Sequence, residues 1–168
     1  MMNLKKYTVF PGQYIITTAP ALISTVLGSC VSVCLWDKEL KMGGMNHYLL
    51  PGDMNDEVHN PNRGLSATKL LIHSLLNRHA RIENLEAKIF GGCNSLYQKN
   101  DLYRVGIRNV EMAMHVLSGF HIPVRASHTG GAFGRKIVFN TMTGKVRMRL
   151  LKKSATLVNE EINKGFGH

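Results

Sequence analysis

Two residues in this 168-residue chain have types and spacing suited to thiol chemistry, Cys30 and His47. Both lie in LGSCVSVCLWDKELKMGGMNHYLLP. Cys30 to Trp36 alternates in strand fashion, the polar DKELK turns the chain, and Gly43 to Leu50 resumes as a strand. A loop centred on Lys38-Glu39 places Cys30 directly opposite His47 on one face of the ladder, where Cβ atoms are roughly 4.5 to 5.5 Å apart. A slip of one residue would send His47 to the other face, so the pairing rests on the register. The thiolate is the attacking form of a cysteine, and a free thiol has a pKa of about 8.5. A neighbouring imidazole can take the thiol proton and return it to a leaving group. Gly28-Ser29 lead into Cys30 through a turn whose N–H groups, near Ser29 and Cys30, suit an oxyanion formed on an amide carbonyl. Ser24 and Thr25 are the nearby hydroxyls that could orient His47. On the residues alone, Cys30 reads as a nucleophile or as a small core residue. Cys34 is read as core, and Cys93, after Gly91-Gly92, as core or pocket lining.

The remaining composition narrows the chemistry. Three cysteines cannot close into a complete disulfide framework and suit a reducing compartment. The CxxxC of Cys30 and Cys34 has no second pair at zinc-finger spacing, so neither a metal nor a cofactor is expected. The formal charge of +10, from 21 Lys+Arg against 11 Asp+Glu, favours acidic partners. These cations are spread along the chain with no basic run and no aromatic-basic motif, so nucleic acid is not the expected partner. No segment approaches the roughly 18 to 20 apolar residues that span a bilayer, and the start lacks an apolar region followed by a small-residue cleavage site. The expectation is a cytoplasmic protein without membrane insertion.

The elements that must hold the pair are strands first. Tyr14 to Thr18 and Ala21 to Leu27 are rich in β-branched residues, and Leu85 to Phe90, Ile122 to Ser127, Lys136 to Asn140 and Lys145 to Leu151 follow later. TMTG joins the last two as a hairpin turn. Helical spacing of apolar residues predicts helices over Leu65 to Arg78 and Ile107 to Ser118, the second ending on Gly119 as its C′ residue. This gives an α/β fold: one domain over residues 1–151, a layered sandwich of mixed, largely antiparallel sheet with flanking helices. Residues 152–168 are expected to form a polar, flexible tail.

LGSCVSVCLWD, GGMNHYLLP, AKIFGGC, RNVE and TGGAFGRKIVFNTMTGKV together resemble the chemoreceptor glutamine deamidase family, CheD. The blocks occur in the family's order over roughly residues 12 to 151. The resemblance implies the layered fold of the glutamine-deamidating cytotoxic necrotizing factor toxins. It implies hydrolysis of glutamine side chains on methyl-accepting chemotaxis receptors to glutamate, with release of ammonia. It places the nucleophile on Cys30, the general base on His47 and the third catalytic position on Ser24, with Thr25 adjacent as the alternative. It also implies partners: the cytoplasmic helical region of the receptors and the CheC chemotaxis phosphatase. Cys93 stands where the family more often has a smaller residue, and His128 where an Asp often precedes the TGG-like turn. Two other readings fit the same residues: a non-catalytic or dual-role regulator of CheC, and another cysteine hydrolase of transglutaminase-like or ester-cleaving type.

Overall fold

The computed structural model describes residues 2–55, 60–94 and 103–152. The polar tail, from residue 153 on, and part of the polar loop, residues 56–59, lie outside the described residues. Strands β1 (Lys5–Thr8), β2 (Tyr14–Thr17), β3 (Ala21–Leu27), β4 (Val31–Asp37) and β5 (Met42–Asn46) precede helix α1 (Gly64–Leu76). Then come β6 (Leu85–Gly91), helix α2 (Tyr103–Gly119), β7 (Val124–Thr129), β8 (Arg135–Asn140) and β9 (Val146–Leu150). They form a four-stranded sheet, β1-β3-β8-β9, and a five-stranded sheet, β2-β5-β4-β6-β7. Both are mixed: β1 with β3 and β6 with β7 are parallel, and every other pairing is antiparallel.

The layers follow from which faces are apolar. In β3, Ala21, Ile23, Thr25 and Leu27 are buried while the residues between them are half-exposed, the mark of a strand covered on one side. β4 and β5 are buried at nearly every position, because the five-stranded sheet is covered on both sides. One face meets the four-stranded sheet through Ile23, Leu27, Cys34, Met45, Ile137 and Phe139. The other packs on α1 and α2 through Val33, Leu35, Leu71, Ile72, Leu75, Ala113 and Leu117. Gly43 and Gly44 let β5 lie this close to its neighbours. A Cβ on Gly44 would come within 2.7 Å of the Ile15 carbonyl oxygen, and one on Gly43 within 2.7 Å of that of Leu35.

Both helices end in the same motif. His79 and His121 adopt left-handed φ of 70° and 56°. The N–H of the next residue reaches five positions back, Ala80 to Leu75 and Ile122 to Leu117, and these residues are buried together in the helix-side core. Gly119, expected at C′, is instead still helical, and the left-handed position falls on His121. The apolar contact of Leu117 with Ile122 outweighs the backbone preference of glycine. α2 also begins a turn earlier than the periodicity indicated. Among the described residues, no helix is long and apolar enough to cross a membrane.

Candidate active site

β3 delivers its chain into Gly28-Ser29-Cys30 and straight on into β4, so the cysteine sits at the end of the space between the two sheets. It belongs to the inter-sheet core with 9% of its surface exposed. Burial pushes its thiol up to about 12; its own backbone N–H, directed at the sulfur, pulls the other way. A negative charge on nearby Cys93 would raise it further.

His47 reaches the same layer by a different register from the expected one. β4 and β5 pair Cys34 with Met45 and Asp37 with Met42, and an isolated bridge joins Val31 to Tyr48. The loop is therefore centred on Glu39-Leu40, one residue later than Lys38-Glu39. Asp37 is the cause: its Oδ1 accepts the N–H groups of Glu39 and Leu40, both at 2.9 Å, and Lys41 closes the turn at φ 54°. Moving the loop centre by one residue shifts the register by two and preserves parity. Cys30 and His47 thus share a face as diagonal neighbours, not as a directly opposed pair. Regular ladder geometry puts such diagonal pairs roughly 7 to 8 Å apart, a spacing that aromatic side chains bridge.

The ladder is also interrupted beside His47. Val33 N–H bonds the Asn46 side-chain oxygen at 2.8 Å, and Ser32 Oγ donates to the Asn46 carbonyl at 2.6 Å. The His47 backbone turns to the other side, where its N–H donates to Gln13 and its carbonyl accepts from Gly12.

The tautomer of His47 follows from its neighbours. Thr25 Oγ1 donates to the Val9 carbonyl at 2.6 Å and lies 2.8 Å from His47 Nδ1. A hydroxyl has one proton, and a carbonyl only accepts, so Thr25 must receive its second bond from an Nδ1–H. Nε2 is then the bare nitrogen. It is buried and has no hydrogen-bond partner among the described residues. Burial lowers His47 to about 4, partly offset by the Val9 carbonyl. At neutral pH the resting site holds a thiol and an uncharged imidazole whose basic nitrogen is free.

Of the two candidate hydroxyls, the structure brings Thr25 to His47 and not Ser24. Ser24 Oγ donates to the Tyr7 carbonyl at 3.3 Å, on the outward face of β3. Strand alternation decides this, since Thr25 shares its face with Ile23 and Leu27. Ser29 lies in the turn before Cys30, with its carbonyl held by the Asn109 side chain at 3.0 Å.

A family model described as CheD chemotactic sensory transduction matches residues 49–150. A protein of Trichlorobacter lovleyi named probable chemoreceptor glutamine deamidase CheD is 44% identical over 143 residues, 85% of this chain and 89% of that protein. The chain belongs to the CheD family. A second CheD relative, from Shewanella oneidensis and named probable chemoreceptor glutamine deamidase CheD 1, is 41% identical over 91% of this chain and 77% of its own. Among solved structures, the hypothetical protein YfiH of Bacillus licheniformis is similar with a TM-score of 0.46 and 14% identity, over 68% of this chain. This chain spans about half, 49%, of that structure.

The remaining residues singled out in this CheD chain separate by position. Cys34 is buried in the inter-sheet core. Cys93 is buried at the end of β6, its N–H donating to the Gly28 carbonyl at 2.9 Å. His128 is exposed, and its Nδ1 lies 2.7 Å from the Arg135 guanidinium. Arg135 is fully buried and also donates to the carbonyls of His128, Gly130 and Phe133, so it ties the TGG turn to β8.

Sequence reasoning missed Asn109, Tyr48 and Arg135. Asn109 left little signal: the apolar spacing puts it in the first turn of the predicted helix, and the earlier start of α2 at Tyr103 is what moves it into the helix interior.

Proposed function

We propose that this chain is a chemoreceptor glutamine deamidase that uses Cys30 as nucleophile, His47 as general acid and base, and Thr25 to orient His47. The observation that carries this reading is the imidazole with Nδ1 committed to Thr25 and Nε2 bare, on the face it shares with Cys30. The names of the relatives supply the substrate class, glutamine side chains of chemoreceptors.

In the proposed reaction Cys30 Sγ attacks the carboxamide carbon as His47 Nε2 takes the thiol proton. Because the resting pair is neutral, proton transfer accompanies attack instead of preceding it. The carbonyl electrons move onto oxygen, which the Ser29 and Cys30 N–H groups receive. His47 returns the proton to the departing nitrogen, ammonia leaves, and a thioester remains. His47 then deprotonates water for attack on the thioester, and Cys30 departs as the thiol, leaving glutamate. Thr25 holds the ring so that one nitrogen does all the proton work.

Residues 1–151 are taken as the deamidase domain, with the toxin-like layered fold implied by the sequence resemblance. It acts in the cytoplasm on the helical region of the receptors, and CheC is a candidate regulator. The test is to incubate the protein with receptor cytoplasmic fragments and follow the Gln-to-Glu mass change with ammonia release. Stoichiometric appearance of both is expected. Fragments that stay unchanged while remaining folded would overturn the assignment.

A further inference from the structure

The two halves of the site come from separate stretches, the Gly28-Ser29-Cys30 turn and the segment from His47 to Leu49. The Val31–Tyr48 bridge joins them, and their register depends on a turn at the far end of the hairpin. Helix α2 crosses behind both. Asn109 is fully buried there, and its carboxamide nitrogen donates one hydrogen bond to the Ser29 carbonyl and one to the Leu49 carbonyl, each at 3.0 Å. The Asn109 carbonyl in turn accepts the Tyr48 hydroxyl.

The helix comes close enough because of Gly106, one turn earlier on the same face. A Cβ at Gly106 would come within 2.6 Å of the Gly92 carbonyl oxygen and 2.9 Å of that of Cys93. The Gly92 N–H donates to the Cys30 carbonyl at 2.9 Å, so this close approach also seats the strand end beside the nucleophile.

We propose that Asn109 is a positioning residue of the reaction, its NH2 group spanning the turn that carries Cys30 and the segment that carries His47 and fixing their separation. A carboxamide suits this place because one nitrogen presents two coplanar donors to two carbonyls, those of half-buried Ser29 and Leu49. The hydrogen bonds of Asn109 go to the backbone beside the two reacting groups and to Tyr48, so its effect falls on how often the pair is correctly set. A displacement of about 1 Å at such a distance from the chemistry can reduce turnover about 100-fold.

The proposal rests on the deamidase reading, and the experiment separates the two. Asn109→Leu keeps the volume and removes both donors. Asn109→Asp keeps the shape and removes them too, and serves if the leucine variant does not fold. On receptor fragments, well below the unfolding temperature, kcat per folded molecule should fall roughly 10- to 100-fold while KM stays within about threefold. Iodoacetamide labelling, read peptide by peptide, should show Cys30 reacting at least about fivefold faster than in the parent, while buried Cys34 is unchanged. Global loosening would raise both cysteines together and would overturn the proposal. So would unchanged kcat with unchanged Cys30 labelling, which would leave Asn109 a purely structural residue. If the parent turns over no receptor fragment, the deamidase reading fails, and the Cys30 against Cys34 labelling ratio still decides for or against the clamp.

Discussion

Burial holds His47 uncharged at neutral pH, and among the described residues its ring meets a threonine hydroxyl with a carbonyl beyond it. In the proposed mechanism that relay orients the ring without adding charge, which suits a base that returns its proton in the same turnover. Thr25→Val keeps the shape and removes the acceptor, freeing the ring to flip. Its kcat should fall roughly 10- to 100-fold, part of the 10²–10⁴ that general acid–base assistance supplies. Ser24→Ala loses only a bond to Tyr7 on the outer face and should stay within about twofold of the parent. Steady-state kinetics of the two variants separate these roles, and a larger loss at Ser24 would reverse the assignment. The low pKa has a second consequence, on stability. In the unfolded chain a histidine titrates near 6.5, and in the fold His47 resists protonation until about 4. Between those values the unfolded state binds the extra proton. Stability is therefore full above about pH 6.5 and drains away as pH falls towards 4, by roughly 3 kcal/mol. Urea unfolding of the parent and a His47→Leu variant across that range should show the slope in the parent and a weaker one in the variant.

At the scale of elements, the hairpin shows how far a sequence pattern reaches. Alternation places Cys30 and His47 on one face, and parity survives any shift of the loop centre by whole residues. Direct opposition does not survive, because the register is set by the Asp37 side chain capping Glu39 and Leu40, a tertiary choice that alternation does not encode. The same limit explains Thr25. Counting back from Cys30 selects Ser24, whereas the inward face of β3 selects its neighbour, and only the packed sheets reveal which face is inward. The place of Asn109 was not legible, since its partners Ser29 and Leu49 lie far away in sequence. Asp37→Ala should therefore lower stability by about 1 to 2 kcal/mol through loss of paired N–H groups. Denaturant unfolding gives the stability change, and loss of activity beyond the unfolded fraction would show that this turn also holds the site.

For the molecule as a whole, both helices and every strand but β1 were readable because each carries its own periodicity. Their division into two sheets was not, since β1 is short and polar and pairs in parallel with β3, a contact with no local signature. The sheets need each other: the face of β4 bearing Cys34, with Cys30 in the turn just before it, is buried because β3 and β8 cover it. The charge of +10 acts over the full surface. If it steers acidic receptor helices to the site, kcat/KM should fall steadily between low and physiological salt while kcat holds. Stopped-time assays at several ionic strengths give that slope, and a salt-independent kcat/KM would remove the steering role.

Three buried thiols are free in this chain, and the proposed reaction uses Cys30 alone. Receptor-fragment deamidation by Cys30→Ala, Cys34→Ala and Cys93→Ala, each confirmed folded, tests it most directly. Cys30→Ala should release no ammonia above the uncatalysed background, while Cys34→Ala and Cys93→Ala keep measurable turnover. Sustained Gln-to-Glu conversion by Cys30→Ala would contradict the account.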